Sequence, residues 1–94
     1  MIRHIVFFSL KSSSDVDNVV TKLSRLGTIP GSTFFKVTSN LKADQIANEI
    51  DIVVYGEFPN LVALKAYKTH PTYAEVTAQV RPLREMRFAA DVEA

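Results

Sequence analysis

Ile2-Arg3-His4-Ile5-Val6-Phe7-Phe8-Ser9-Leu10 alternates with the period of a β-strand, and both of its faces are apolar. Ile2, His4, Val6, Phe8 and Leu10 point one way; Arg3, Ile5, Phe7 and Ser9 point the other. A half-solvated antiparallel strand shows one polar face. This strand therefore needs cover on both sides.

Three further segments share that character. Ser32 to Ser39 carries Phe34 on one face and Phe35 with Val37 on the other, and Ile50 to Phe58 sets Ile50, Ile52, Val54 and Phe58 against Val53 and Tyr55. Gly56 predicts a bulge or a close approach by another group. The last strand, Leu83 to Val92, sets Met86, Phe88, Ala90 and Val92 against Glu85, Arg87 and Asp91.

Helical spacing fills the intervals. After the Ser12-Ser13-Ser14 turn, with Ser14 as the expected cap and Asp15 and Asp17 in the first turn, Val16, Val19, Val20, Leu23 and Leu26 form one apolar stripe. Gly27 is expected to end that helix, and Ile29-Pro30-Gly31 to turn the chain. Asn40 to Glu49 is polar and reads as a loop with one helical turn around Asp44 to Ala47; Glu49 and Asp51 read as solvated charge at a strand entrance. Asn60 caps a second helix with Leu61, Leu64 and Tyr67 on its apolar arc. A residue before proline is pushed out of the helical region, so His70-Pro71 breaks it. Pro71 then opens a short helix with Tyr73, Val76 and Val80 on one side, which Arg81-Pro82 ends.

The element order is β-α-β-β-α-β, an α+β arrangement of ferredoxin-like type with a four-stranded antiparallel sheet. Helices on one face leave the other open and apolar. A symmetric homodimer that packs two sheets face to face is the expected solution.

At 94 residues the chain reads as one domain, 1–94, and its 47% apolar and 22% charged composition is that of a globular protein. The longest apolar runs, Ile5 to Phe8 and Ile52 to Tyr55, fall far short of the roughly 18 residues of a membrane span. No signal-peptide pattern opens the sequence, so a cytoplasmic address and no membrane partner are expected. Absence of cysteine excludes disulfides, thiolate metal sites and cysteine nucleophiles. A formal charge of +1 with interspersed signs is no footprint for nucleic acid, and Asp51 to Glu57 is acidic where an RNA-binding sheet is basic. Small molecules or a second copy of the chain remain as partners.

Chemistry concentrates in Tyr67-Lys68-Thr69-His70-Pro71-Thr72-Tyr73. Histidine is the side chain whose ordinary pKa lies near neutrality, and the chain has two, His4 and His70. His70 reads as a helix cap or a ligand contact, His4 as packed or pocket-facing, Tyr67 as core or catalytic, Tyr73 as core or pocket rim. Two histidines without helical pairing give no zinc or iron spacing, and Gly27, Gly31 and Gly56 lie too far apart for a phosphate loop. No metal and no cofactor are expected.

The sequence resembles the stress-responsive A/B barrel (Dabb) family. The resemblance rests on Ile2 to Phe8, Ile29-Pro30-Gly31, Glu57-Phe58 to Leu64, Ala66-Tyr67 through His70-Pro71, Arg81-Pro82-Leu83 and Asp91-Val92. It implies a dimeric α/β barrel of ferredoxin-like subunits. Many members of that family have no assigned activity, while a plant member is a polyketide cyclase that closes a linear tetraketide by aldol chemistry. Carried over by position, the cyclase tyrosine falls on Tyr67 and the first histidine of its His-Pro-x-His run on His70. The histidine credited with catalysis falls on Tyr73, so this chain lacks that imidazole.

The expected function is a small-ligand pocket lined by His4, Phe8, Val54, Tyr67, His70 and Tyr73, favouring an apolar molecule with one polar end. The alternative is a cyclase-like, isomerase or cofactor-free monooxygenase-like enzyme acting on a small apolar or aromatic ligand. His70, Tyr67 and His4 are its catalytic candidates.

Overall fold

A computed structural model describes residues 1–94. Its elements are β1 (Ile2–Leu10), α1 (Val16–Ser24), β2 (Phe34–Ser39), β3 (Ile52–Phe58), α2 (Leu61–Thr69), α3 (Pro71–Val80) and β4 (Arg84–Glu93), with 3-10 turns at Ser13–Asp15 and Arg25–Thr28 on either side of α1. The strands form one antiparallel sheet in the order β2-β3-β1-β4. This is the ferredoxin-like fold. β1 lies inside the sheet, with Val6 opposite Val54 of β3 on one side and Ala89 of β4 on the other.

The core lies between the sheet and the helices. Ile2, Val6, Phe8 and Leu10 are buried with Ile52, Val54 and Phe58, against Val19 and Leu23 of α1, Leu64 and Tyr67 of α2, and Val76 and Val80 of α3. On the opposite face Phe7, Phe34, Met86, Phe88 and Val92 remain exposed. The two-sided alternation of β1 thus has one side covered within the chain.

Glycine makes room for one ring in this core. A Cβ at Gly27 would stand 2.9 Å from Phe35 Cδ1, and one at Gly56 would stand 3.2 Å from Phe35 Cδ2 and 3.1 Å from Phe58 Cε1. Gly27 therefore does not end the helix as its position suggests; it lies within the 3-10 turn that runs on to Thr28. Gly56 introduces no bulge, since it pairs with His4 and with Phe35 in unbroken ladders. Only the close approach holds.

Other boundaries differ for local reasons. Ser14 caps nothing; it lies in the first 3-10 turn, its hydroxyl 2.7 Å from that of Ser12. Asp44 to Ala47 forms no helical turn, because Asp44 Oδ1 accepts from Ile46 N–H and competes with helix formation. Leu61 is exposed although it stands on the arc read as apolar. β2 starts at Phe34 and β3 at Ile52, each two residues later than their apolar patterns suggest.

Gly27→Ala is expected to cost roughly 1–3 kcal/mol by overpacking against Phe35. In the double variant with Phe35→Leu the losses should be less than additive, as read from urea unfolding midpoints. Strict additivity would show that the ring is not what Gly27 accommodates.

Candidate functional site

Proline and a histidine cap set the angle at which two tyrosines meet. His70 has the extended backbone that a following proline demands, and its Nδ1 accepts from the Thr72 N–H at 3.1 Å, capping α3. The same residue ends α2, its own N–H donating to the Tyr67 carbonyl. With the helix broken there, the rings of Tyr67 and Tyr73 come edge to face, their centroids 5.2 Å apart. Tyr67 also packs on Phe58 at 5.0 Å and on His4 at 5.9 Å.

These rings close off a small cavity of about 20 Å3, room for about one water, with walls that include His4, Phe8, Val54, Tyr67, Tyr73 and Arg87. It adjoins an outer cleft of about 220 Å3, sharing Phe8, Leu23, Tyr73, Thr77 and Arg87 with it. His70 lines neither space. Of the six residues expected around a pocket, five surround the inner cavity and the sixth joins two helices beside it.

His4 is only 1% exposed, yet it is a polar ring in an apolar layer. The β1–β4 register places Asp91 opposite it, and His4 Nδ1 lies 2.5 Å from Asp91 Oδ1. Lys68 of α2 donates to the second oxygen, Asp91 Oδ2, at 3.3 Å. Burial pushes the His4 pKa below its ordinary value, and Asp91 only partly offsets this. For Asp91, burial alone would raise the carboxyl, but the bonds from His4 and Lys68 prevail and hold it below the usual range.

A carboxylate can only accept hydrogen bonds. Nδ1 of neutral His4 therefore carries the proton, and its Nε2 keeps a free lone pair. Neither Nε2 nor the Tyr67 hydroxyl bonds to another group of the protein, no side-chain polar atom is both sealed from water and unpartnered, and both residues line the cavity. Burial first, and Tyr73 second, raise the Tyr67 pKa well above the ordinary tyrosine value. Its hydroxyl stays a donor at neutral pH. An acceptor of protons and a donor of hydrogen bonds thus share one apolar space.

Asp91 and Arg87 were not legible as site residues from sequence, because their place depends on strand register. Asp51 is a correction of another kind. It is buried rather than solvated: Oδ2 accepts from the Leu10 N–H at 2.7 Å and Oδ1 from Lys42 Nζ at 2.7 Å, while Glu49 stays exposed. The carboxylate satisfies a backbone donor where the β1–β3 ladder has ended. No three His, Cys, Asp or Glu side chains cluster so as to hold a metal ion. No helix is long and apolar enough to cross a membrane.

A family model described as Stress responsive A/B Barrel Domain matches residues 2–94. No curated protein matches the sequence. Among solved structures, a dimeric ferredoxin-like protein of unknown function from Thermobifida fusca is 26% identical with a TM-score of 0.83, covering 99% of this chain and 90% of that one. A Dabb family protein from Mesorhizobium loti with a ferredoxin-like fold is 23% identical at a TM-score of 0.84, covering 99% and 95%. A hydroxynitrile lyase from Passiflora edulis is 20% identical at 0.80, covering 97% and 90%.

Acid should destabilise the fold in two stages. The folded His4 pKa lies below 6.5, so the unfolded chain takes up that proton first and stability falls as pH drops below 6.5. Asp91, held below 3.8, contributes stability that is present above that value and lost as pH falls through its folded pKa. His4→Gln is expected to remove the upper stage, measured as urea midpoints from about pH 7 to about pH 3. An upper stage that survives in His4→Gln would assign it to another group.

Proposed function

Because the chain belongs to the stress responsive A/B barrel domain family, we propose that it works as a homodimeric small-molecule-binding protein whose ligand sits between sheet and helices. One observation carries the reading: His4 and Tyr67, whose Nε2 and hydroxyl have no protein partner, line a cavity walled mainly by apolar groups such as Phe8 and Val54, with Thr77 and Arg87 beside them. A small apolar ligand would lie in the adjoining cleft of about 220 Å3, with only its polar end reaching the inner cavity, which by itself has room for about one water. His70 belongs to the scaffold in this reading, since its Nδ1 is engaged by Thr72.

The dimer is supported by the uncovered sheet face. Phe7, Phe34, Met86, Phe88 and Val92 expose an apolar surface that a second sheet would bury, and the Thermobifida fusca relative is described as dimeric. At micromolar concentration the chain is expected to sediment as a dimer, and Phe88→Glu to weaken association at least about tenfold by burying an unpaired charge. A stable, folded wild-type monomer would sink this part of the reading.

The pairing of His4 with Asp91 favours a second reading, proton removal from a carbon next to a carbonyl, as in cyclase or isomerase chemistry. His4 Nε2 takes the proton, Asp91 stabilises the resulting imidazolium, and the Tyr67 hydroxyl donates to the enolate oxygen. Tyr73 stands where the cyclase pattern has its histidine, so the base is supplied from β1 instead. Titration with benzyl alcohol, followed by NMR, should shift resonances of His4, Phe8 and Tyr73; binding that leaves them unmoved would refute the pocket. Exchange of the α-hydrogens of acetophenone with solvent deuterium tests the chemistry. Catalysed exchange that falls about a hundredfold or more in His4→Gln supports a base; none above background leaves binding alone.

A further inference from the structure

Three arginines gather at the outer cleft with no carboxylate among them. Arg81, Arg84 and Arg87 line it together with Phe8, Tyr73 and Val80. The ion pairs of the chain join His4 and Lys68 to Asp91, Arg25 to Glu75 and Lys42 to Asp51, so these three cations are unpaired. The side chain of Arg87 reaches only the Tyr73 hydroxyl, at 3.5 Å, the outer limit of a hydrogen bond. Arg84 and Arg87 are half-buried. Like charges repel, and partial burial removes some of the water that would screen them. An anion in the cleft relieves both costs.

Backbone irregularity produces this gathering. Residues three apart in a regular strand face opposite sides of the sheet. Here the register passes from Ser9 opposite Met86 to Leu10 opposite Arg84, so Glu85 has no place in the ladder. That extra residue returns Arg84 to the helix side of the sheet, where Arg87 already stands opposite Phe8. Arg81 reaches the same cleft from the end of α3. Regular alternation would turn either Arg84 or Arg87 to the other face.

We propose that this cleft binds a small amphipathic carboxylate, an aryl acid or a short alkyl acid. Arg84 and Arg87, with Arg81 at the rim, hold the carboxylate; the apolar body lies over Phe8 and Tyr73. The planar guanidinium fork matches a carboxylate with two parallel hydrogen bonds. A volume of about 220 Å3 lies below the range of about 300–1,000 Å3 for larger ligands, which selects a single ring or a short chain. The apolar walls disfavour a wholly hydrated ion such as inorganic phosphate.

The proposal rests on the reading of this space as a small-molecule pocket, and the test separates the two. NMR titrations of the intact chain with benzoate, hexanoate, benzyl alcohol and inorganic phosphate are compared. Benzoate and hexanoate are expected to shift Phe8 and Tyr73 resonances and to bind about tenfold or more tightly than benzyl alcohol or phosphate. Arg84→Gln and Arg87→Gln should each weaken benzoate about tenfold more than they weaken benzyl alcohol. In the wild-type protein, added sodium chloride should weaken benzoate and hexanoate but not the neutral benzyl alcohol, a comparison that stands even where a variant fails to fold. Equal affinity for benzoate and benzyl alcohol, or phosphate as tight as benzoate, overturns the carboxylate and leaves the pocket. No shift with any of the four overturns both.

Discussion

A strand that is apolar on both faces has to lie inside a sheet, between two layers, and β1 imposes that condition on the whole chain. It takes hydrogen bonds from β3 and β4 on its two edges, which makes β2 and β4 the outer strands. Its inner face calls for helices, and α1, α2 and α3 supply Leu23, Tyr67 and Val76 to it. The exception within that face is His4. An imidazole in an apolar layer needs its ring proton accounted for, and Asp91 does so from the neighbouring strand while Lys68 ties the carboxylate to α2. This polar chain therefore ties the sheet to α2 within layers that meet mainly through apolar contact.

Much of this architecture was legible in residue order. Alternation located β1 to the residue, the proline after His70 located the break between α2 and α3, and of the inward set read for β3, Ile52, Val54 and Phe58 are buried while Ile50 lies before the strand. Local pattern suffices there because each signal acts within a few residues. The family resemblance drawn from Ile2 to Phe8, His70-Pro71 and the other shared segments agrees with the family match over 2–94.

Reading failed where a residue's role is set by something distant in sequence. Gly27 looks like a helix stop and is instead the space that Phe35 occupies from β2. Asp51 looks like surface charge until the Leu10 N–H, far back in the chain, is seen to need an acceptor. In the site, helical and strand spacing put Tyr67, Tyr73, Phe8 and Val54 in view, but nothing local says that Asp91 will stand opposite His4 or that Glu85 will be left out of the ladder. His70 was read as a helix cap or a ligand contact, and its Nδ1 does cap α3. Side-chain type alone did not distinguish it from His4.

The irregular pairing of β4 gives that edge strand something like a reading frame. Between Met86 and Asp91 each residue's facing is counted from the skipped Glu85, and a shift of one position would bring Ala90 or Val92 opposite His4 and swing the carboxylate to the far side of the sheet. Single deletions or insertions in this short segment alter every inward group at once, where substitutions alter one. Chain length between two points is then a chemical variable, as much a determinant of what the cavity contains as the identity of any residue that lines it.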